Sequence, residues 1–128
     1  MRENNGAGFT VIVVDDCEDI RLMLRVNLEY HGYLVLEAEN GQVAIDLASL
    51  KCPNLILMDL NMPVLDGLVA TRILRELKGM CDVPIIAISA SPKEISQTAA
   101  RAAGCNEYLS KPVNLKELDQ MISSLLAA

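Results

Sequence analysis

Tryptophan is absent from this 128-residue chain, and aromatic residues make up only 3% of it. Any core must therefore be aliphatic, drawn from the Val, Ile, Leu, Met and Ala that dominate its 52% apolar content. Such a core suits helices packed on a buried sheet, and the length fits one domain with a sizeable interior. Excess positive charge is also missing. A net charge of −6 gives no electrostatic reason to bind nucleic acid directly or an anionic membrane, while an acidic site that recruits a cation stays open. No apolar run approaches bilayer-spanning length, and no signal peptide is expected at its start. Residues 1–8, MRENNGAG, are polar and read as a flexible tail before a domain at 9–128. There is no CxxC pair. Cys17, Cys52, Cys81 and Cys105 are scattered without a nearby histidine, which argues against zinc or a disulfide framework and for reduced thiols in a cytoplasmic protein. His31, the one histidine, falls at an expected helix end, where it is favourable beside the last carbonyls.

Two kinds of segment alternate along the chain. Short apolar runs at Phe9–Val14, Leu34–Ala38, Leu55–Met58, Pro84–Ile88 and Glu107–Leu109 predict strands. Between them lie segments with helical spacing. Ile20, Met23, Leu24 and Leu28 define the first, which stops at Gly32. Asn40-Gly41 opens the second, with Val43, Ala44 and Leu47 inward, and it stops before KCPN. The third spans Leu65 to Lys78 with Leu68, Ile73 and Leu77 inward, closed by Gly79. Pro92 begins the fourth, which carries Ile95, Ala99, Ala102 and Ala103. Asn114 caps the fifth, with Leu115, Leu118, Ile122 and Leu125 inward. The order βαβαβαβαβα predicts an α/β fold, a doubly wound five-stranded parallel sheet flanked by five helices. Five units are too few for an eight-fold barrel.

Ligands of such sheets bind at the carboxyl ends of the strands. The first strand delivers Asp15 and Asp16 there, the second Glu39-Asn40, the third Asp59, the fourth Ser89, and the fifth Ser110-Lys111-Pro112. Two carboxylates about 5 Å apart repel by roughly 3 kcal/mol at an effective dielectric near 20. A third worsens this, so the cluster needs a cation or a shared proton. Carboxylates without histidine or thiolate suit a hard ion that keeps its waters, which points to Mg²⁺. A metal, a lysine and a hydroxyl around one carboxylate are the parts of phosphoryl transfer, with the carboxylate itself able to act as nucleophile. Asp59 is the best candidate, since it follows the central strand and precedes NMPVLDG, a loop shaped by Pro63 and Gly67.

VVDD, LILMDLNMPVLDG, IIAISA and YLSKP, in this order over nearly all of residues 9–126, closely resemble the receiver domain of bacterial response regulators, a flavodoxin-like fold. The nearest type by resemblance is the single-domain, chemotaxis-regulator-like kind. The resemblance implies that Asp59 accepts a phosphoryl group from a phosphohistidine on a histidine kinase or histidine phosphotransfer protein. It implies Mg²⁺ held by Asp16 directly, by Asp15 through a water, and by Asp59 and the carbonyl of Asn61. Lys111 and Ser89 would contact phosphoryl oxygens, and Lys111-Pro112 would carry a cis peptide. Ser89 moving toward the phosphate, with Tyr108 turning inward, would switch the surface of the fourth helix, fifth strand and fifth helix toward a downstream effector protein. Such a protein accepts a group on itself with slow self-dephosphorylation and is not a turnover enzyme. No output domain is expected after Ala128, so output through other proteins is expected, and a phosphorylation-linked dimer is left open. Ser89 stands where threonine is also common in the family, and Asn61 and Ser91 flank the position where hydrolysis is tuned. Cys17 is not counted in the site, because a thiolate is a poor Mg²⁺ ligand.

One face of the first helix adds a clue. Leu22 and Val26 lie about 200° round from Ile20 and Leu24, which predicts an exposed apolar ridge beside the acidic pocket. With Ile20 and Met23 at its edge, this ridge is a candidate docking surface for the phosphodonor. Rival readings are a Mg²⁺-dependent aspartyl-phosphate phosphohydrolase, a nucleotide or flavin binder, and a degenerate receiver that binds partners without phosphorylation. The first would place a second aspartate where Asn61 stands. The second would need a glycine- or hydroxyl-rich loop in place of DDCED. The complete set of site residues opposes the third.

Overall fold

The structure is a computed structural model that describes residues 8–62, 65–90 and 93–127, the side chains of residues 93–95 excepted. Residues 1–7, Pro63, Ser91, Pro92, the side chain of Ile95 and Ala128 lie outside the described residues. The chain alternates strictly: β1 (Thr10–Val14), α1 (Glu18–Tyr30), β2 (Leu34–Ala38), α2 (Gly41–Lys51), β3 (Leu55–Asp59), α3 (Gly67–Glu76), β4 (Ile85–Ser89), α4 (Lys93–Ala103), β5 (Glu107–Ser110) and α5 (Leu115–Leu126). The five strands form one sheet in the order β2-β1-β3-β4-β5, every pair parallel. This is the doubly wound arrangement the alternation predicts.

The strands sort their side chains by the two-residue period of the pleat. Val11, Val13, Leu55, Leu57, Ile86 and Ile88 pack against Leu24 and Leu28 of α1 and Leu118 and Ile122 of α5. Ile12, Val14, Ile56, Met58, Ile85 and Ala87 face Ala44 of α2, Ala70 and Leu74 of α3 and Ala100 of α4. Burying each Leu or Ile fully contributes about 1.5–3 kcal/mol, so both faces of the sheet are rigidly backed. The chain moves one way from β1 to β2 and then reverses, passing β1 on its way from β2 to β3. A crevice therefore opens at the carboxyl ends of β1 and β3.

Helix ends follow local chemistry. The side chains of Asn40, Asp66 and Asn114 accept from the backbone N–H of Val43, Val69 and Glu117, capping α2, α3 and α5. At the end of α1, Gly32 adopts φ +92°. Its N–H reaches Glu29 O while the Tyr33 N–H reaches Leu28 O, the glycine-dependent stop that satisfies the last carbonyls. His31 caps the same end, with Nε2 3.5 Å from Asp119 Oδ2 of α5.

Several boundaries and faces differ from expectation. β1 starts at Thr10 instead of Phe9, and β4 starts at Ile85 because Pro84 has no N–H to donate, although its carbonyl accepts from Ile56. β3, β4 and β5 each run one residue further, so that Asp59, Ser89 and Ser110 lie within strands. α2 reaches Lys51, the first residue of KCPN. α3 stops at Glu76 instead of Lys78, since Leu77 turns to an extended conformation. Ile73 is exposed, and the buried face of α3 is Gly67, Ala70, Thr71 and Leu74. On α4, Ala102 is exposed while Ser96, Ala100 and Ala103 are buried. Met23, counted among the inward set of α1, is exposed as well. Small residues let α3 and α4 sit close to their neighbours, so the faces follow size as much as apolarity.

Candidate functional site

The ends of four strands, β1, β3, β4 and β5, meet at the crevice. Asp15 follows β1, and its Oδ1 accepts from the Cys17 N–H at 2.9 Å, an Asx-type turn that leads into α1. The Asp15 carbonyl accepts from Arg21 Nη1 at 2.7 Å, and Arg21 Nε also pairs with Glu37 of β2 at 3.1 Å. The first acidic residue is thus fixed by its own turn and by a guanidinium from α1. Asp16 beside it is exposed. Asp59, the last residue of β3, is fully buried, and its Oδ1 accepts from the Asn61 N–H at 2.9 Å.

The loop after Asp59 is held down by a close backbone approach. A Cβ at Gly67 would lie 2.2 Å from the Asp59 carbonyl oxygen, so only glycine fits there. The Gly67 N–H also bonds Leu60 O at 3.4 Å.

One oxygen each from Asp15, Asp16 and Asp59 lies within 4.8 Å of the others. Lys111, just after β5, brings Nζ to 3.3 Å from Asp59 Oδ2 and 3.4 Å from Asp15 Oδ2. Its peptide bond to Pro112 is cis. These two carboxylate oxygens are buried and have no hydrogen-bond partner, so the lysine acts on them as a charge without well-aligned hydrogen bonds. Burial pushes the Asp59 carboxyl up to about 6; the Asp15 carboxylate adds to that rise, against the Asn61 N–H and Lys111. Burial alone would lower the Lys111 ammonium, but Asp59 and Asp15 together hold it above its ordinary value. Converging hard oxygen donors, two of them buried and underused, suit a divalent cation that keeps some of its waters.

Ser89 ends β4 fully buried, and its Oγ donates to Asn61 Oδ1 at 2.9 Å. Ser96 Oγ of α4 lies 3.3 Å from the same hydroxyl. Tyr108 on β5 is buried on the α2–α4 side of the sheet. Asn40 of the second strand's delivery serves as a helix cap, and Glu39 is exposed. Arg21 and Ser96 carry no sequence signal of their own, because both act across elements whose mutual rotation no local pattern records.

On α1, Leu22 is 55% exposed and Val26 59%. With Met23, Tyr30 and Leu115 they line an open groove of about 640 Å³. A smaller cavity of about 200 Å³, lined by Ile20, Met23, Lys111, Pro112 and Val113, shares Met23 with the groove and includes the site lysine.

A parallel doubly wound sheet, with an acid-lined crevice at its switch point and a lysine over two buried carboxylates, defines the flavodoxin-like receiver class. Residues 11–123 match the response regulator receiver domain family, and the chain belongs to it. It is 35% identical over 117 residues to protein PilH of Pseudomonas aeruginosa, covering 91% of this chain and 97% of that one. The receiver domain of the sensor histidine kinase PA1611 from the same species, solved with a magnesium ion coordinated in its active-site cleft, is 32% identical with a TM-score of 0.88. That match covers 95% of this chain and 100% of that one. The receiver domain of Ssk1 of Saccharomyces cerevisiae, solved in complex with the histidine phosphotransfer protein Ypd1, is 31% identical with a TM-score of 0.86, covering 94% of this chain and 90% of that one. Longer relatives also match, and the chain spans 48% of one Bacillus subtilis transcriptional regulator. The chain is thus a receiver domain of two-component or phosphorelay signalling with an acidic pocket able to hold a cation. Among the described residues, no helix is long and apolar enough to cross a membrane.

Proposed function

We propose that residues 9–128 work as a phosphoacceptor: a phosphohistidine on a kinase or phosphotransfer protein gives its phosphoryl group to Asp59, and the protein signals by changing what it binds. The observation that carries this is the buried Asp59 carboxylate, with one oxygen free of hydrogen bonds and facing Lys111. With its carboxyl at about 6, Asp59 is largely ionised at neutral pH and able to attack phosphorus. The N–P bond breaks as the carboxylate O–P bond forms, and the imidazole keeps the electron pair and takes a proton. Lys111 pairs with one phosphoryl oxygen and Ser89 donates to another. Asp15, Asp16, Asp59 and the carbonyl of Asn61 would hold Mg²⁺, which supplies charge neutralisation to the transferring group.

The group ends on the protein itself, so the chain is not a turnover enzyme. It would act in the cytoplasm, where its exposed thiols Cys17, Cys52 and Cys81 stay reduced. Ser89 and Tyr108 form the switch, read out on the α4–β5–α5 face. A groove of about 300 Å³ on that face, lined by Glu107, Glu117, Met121 and Leu125 among others, offers an effector two carboxylates around apolar contacts. Incubation with acetyl phosphate and Mg²⁺ is expected to give a phosphoryl mass adduct that needs the metal and disappears in Asp59→Asn. No adduct from any donor, cognate kinases included, would favour a partner-binding module without phosphorylation. Steady release of phosphate from generic phosphate esters would favour a hydrolase.

The phosphodonor docks on the α1 ridge of Leu22, Val26, Met23 and Ile20, of which Met23 and Ile20 also line the smaller cavity at Lys111. Leu22→Glu with Val26→Glu is expected to slow transfer from a phosphohistidine protein about tenfold or more, the loss of two apolar contacts, while acetyl phosphate reacts as before. Equal loss with both donors would remove the ridge from the reading.

A further inference from the structure

Serine is a poorer helix former than alanine, and α4 carries Ser96 among Ala99, Ala100, Ala102 and Ala103. Ser96 is only 7% exposed, and its hydroxyl lies 3.3 Å from that of the fully buried Ser89. Ser89 has one proton and donates it to Asn61 Oδ1. A carbonyl oxygen can only accept, so Ser96 must be the donor to Ser89. The Asn61 N–H in turn bonds Asp59 Oδ1. A line of hydrogen bonds therefore runs from α4 through Ser96, Ser89 and Asn61 to the acceptor carboxylate.

We infer that Ser96 is a positioning residue that holds the Ser89 hydroxyl on Asn61 and so sets how readily Ser89 turns to a phosphoryl group. This rests on the phosphoacceptor reading above. A phosphoryl oxygen is anionic and a stronger acceptor than a neutral amide carbonyl. When Ser89 takes its proton there, it leaves Asn61, and Ser96 must either follow, carrying α4 with it, or lose its acceptor inside the protein. Both courses cost free energy, and that cost belongs to the balance between the two arrangements of Ser89. Removing the Ser96 hydroxyl relieves it and leaves Ser89 with Asn61 still available.

The test uses beryllium fluoride, which occupies the phosphoryl position on a carboxylate, titrated with saturating Mg²⁺ and followed by fluorine NMR. Ser96→Ala is expected to bind it about fivefold more tightly, the shift set by one neutral hydrogen bond. Mg²⁺ affinity should stay nearly constant, and the urea unfolding midpoint should fall by no more than the one hydrogen bond removed. Ser96→Thr keeps the hydroxyl and should behave as the unaltered chain. In a Ser89→Ala background, Ser96→Ala should have no effect, which a merely structural role for Ser96 would not predict. Unchanged or weaker binding in Ser96→Ala overturns the inference. So does a threonine variant that behaves like alanine, or an equal effect without Ser89. If the unaltered chain does not bind beryllium fluoride at all, the phosphoacceptor reading falls and this inference falls with it; binding without a Ser96 effect removes the inference alone.

Discussion

The two ends of the sheet treat charge in opposite ways, a half-buried arginine at one and buried carboxylates at the other. At the amino ends of β4 and β5, Arg75 of α3 spends its guanidinium on the Gly104 carbonyl twice, on the Met80 and Val83 carbonyls, and on Asn106 Oδ1, all within 2.6–2.9 Å. Burial lowers this guanidinium somewhat, against nearby thiol and carboxylate groups, yet its donors are used on fixed acceptors. At the carboxyl ends, Asp15 and Asp59 each keep a buried oxygen with no hydrogen bond. The saturated end ties the α3–β4 and α4–β5 connections into one block, and Arg75 has no N–H left to offer a ligand. The unsaturated end stores unmet demand where a cation or a phosphoryl group can meet it. Where a protein leaves polar atoms buried and underused, chemistry is the first explanation to test.

This contrast can be broken from either side, and the largest expected effect is at the unsaturated end. Lys111→Ala should cut the rate of phosphoryl uptake from acetyl phosphate by roughly a hundredfold, the usual cost of one preorganised electrostatic contact, with little loss of folding stability once saturating Mg²⁺ takes over the charge of Asp15 and Asp59; intact mass against time and urea unfolding in Mg²⁺ check both halves. Arg75→Ala should do the reverse. With carbonyls of two connections stripped of their donor, it should lose about 3 kcal/mol of unfolding free energy and still accept phosphate at temperatures where it is folded.

A third experiment sharpens the contrast through pH. The Asp59 carboxyl keeps its proton up to about 6 when folded but releases it near 3.8 when unfolded. Between those values the folded state binds more protons, so the contribution of this group to stability falls as pH rises and is level above the upper value. Without metal, Asp59→Asn should match the unaltered chain below pH 4 and exceed it by about 3 kcal/mol above pH 6, read from urea curves in a chelator. Saturating Mg²⁺ should narrow the gap.

Much of this was legible from the chain alone. The apolar runs and glycine stops mark the strands and helices because backbone preference and burial act locally, and parallel connectivity follows from their alternation. Asp15, Asp59, Ser89 and Lys111 could be found for the same reason: each sits at the end of a recognisable strand, and the topology brings those ends together. Arg75, Arg21 and Ser96 could not. An arginine in a helix reads as a solvated charge until the loops it holds are folded around it. Ser96 is one polar letter until α4 is rotated onto β4. The inward face of α3 was misread at Ile73 because apolarity favours the larger residue, whereas the space between α2 and α4 admits Ala70 and Thr71.

Gly67 has no side chain, no charge and no reactive atom, yet its backbone stands where a single added carbon would strike the carbonyl of Asp59. A survey of every substitution in this protein, scored only by lost phosphoryl uptake, would rank this glycine beside Asp59 and Lys111. Sensitivity to replacement thus measures absence of room as readily as presence of function, and only the measured clearance tells the two apart.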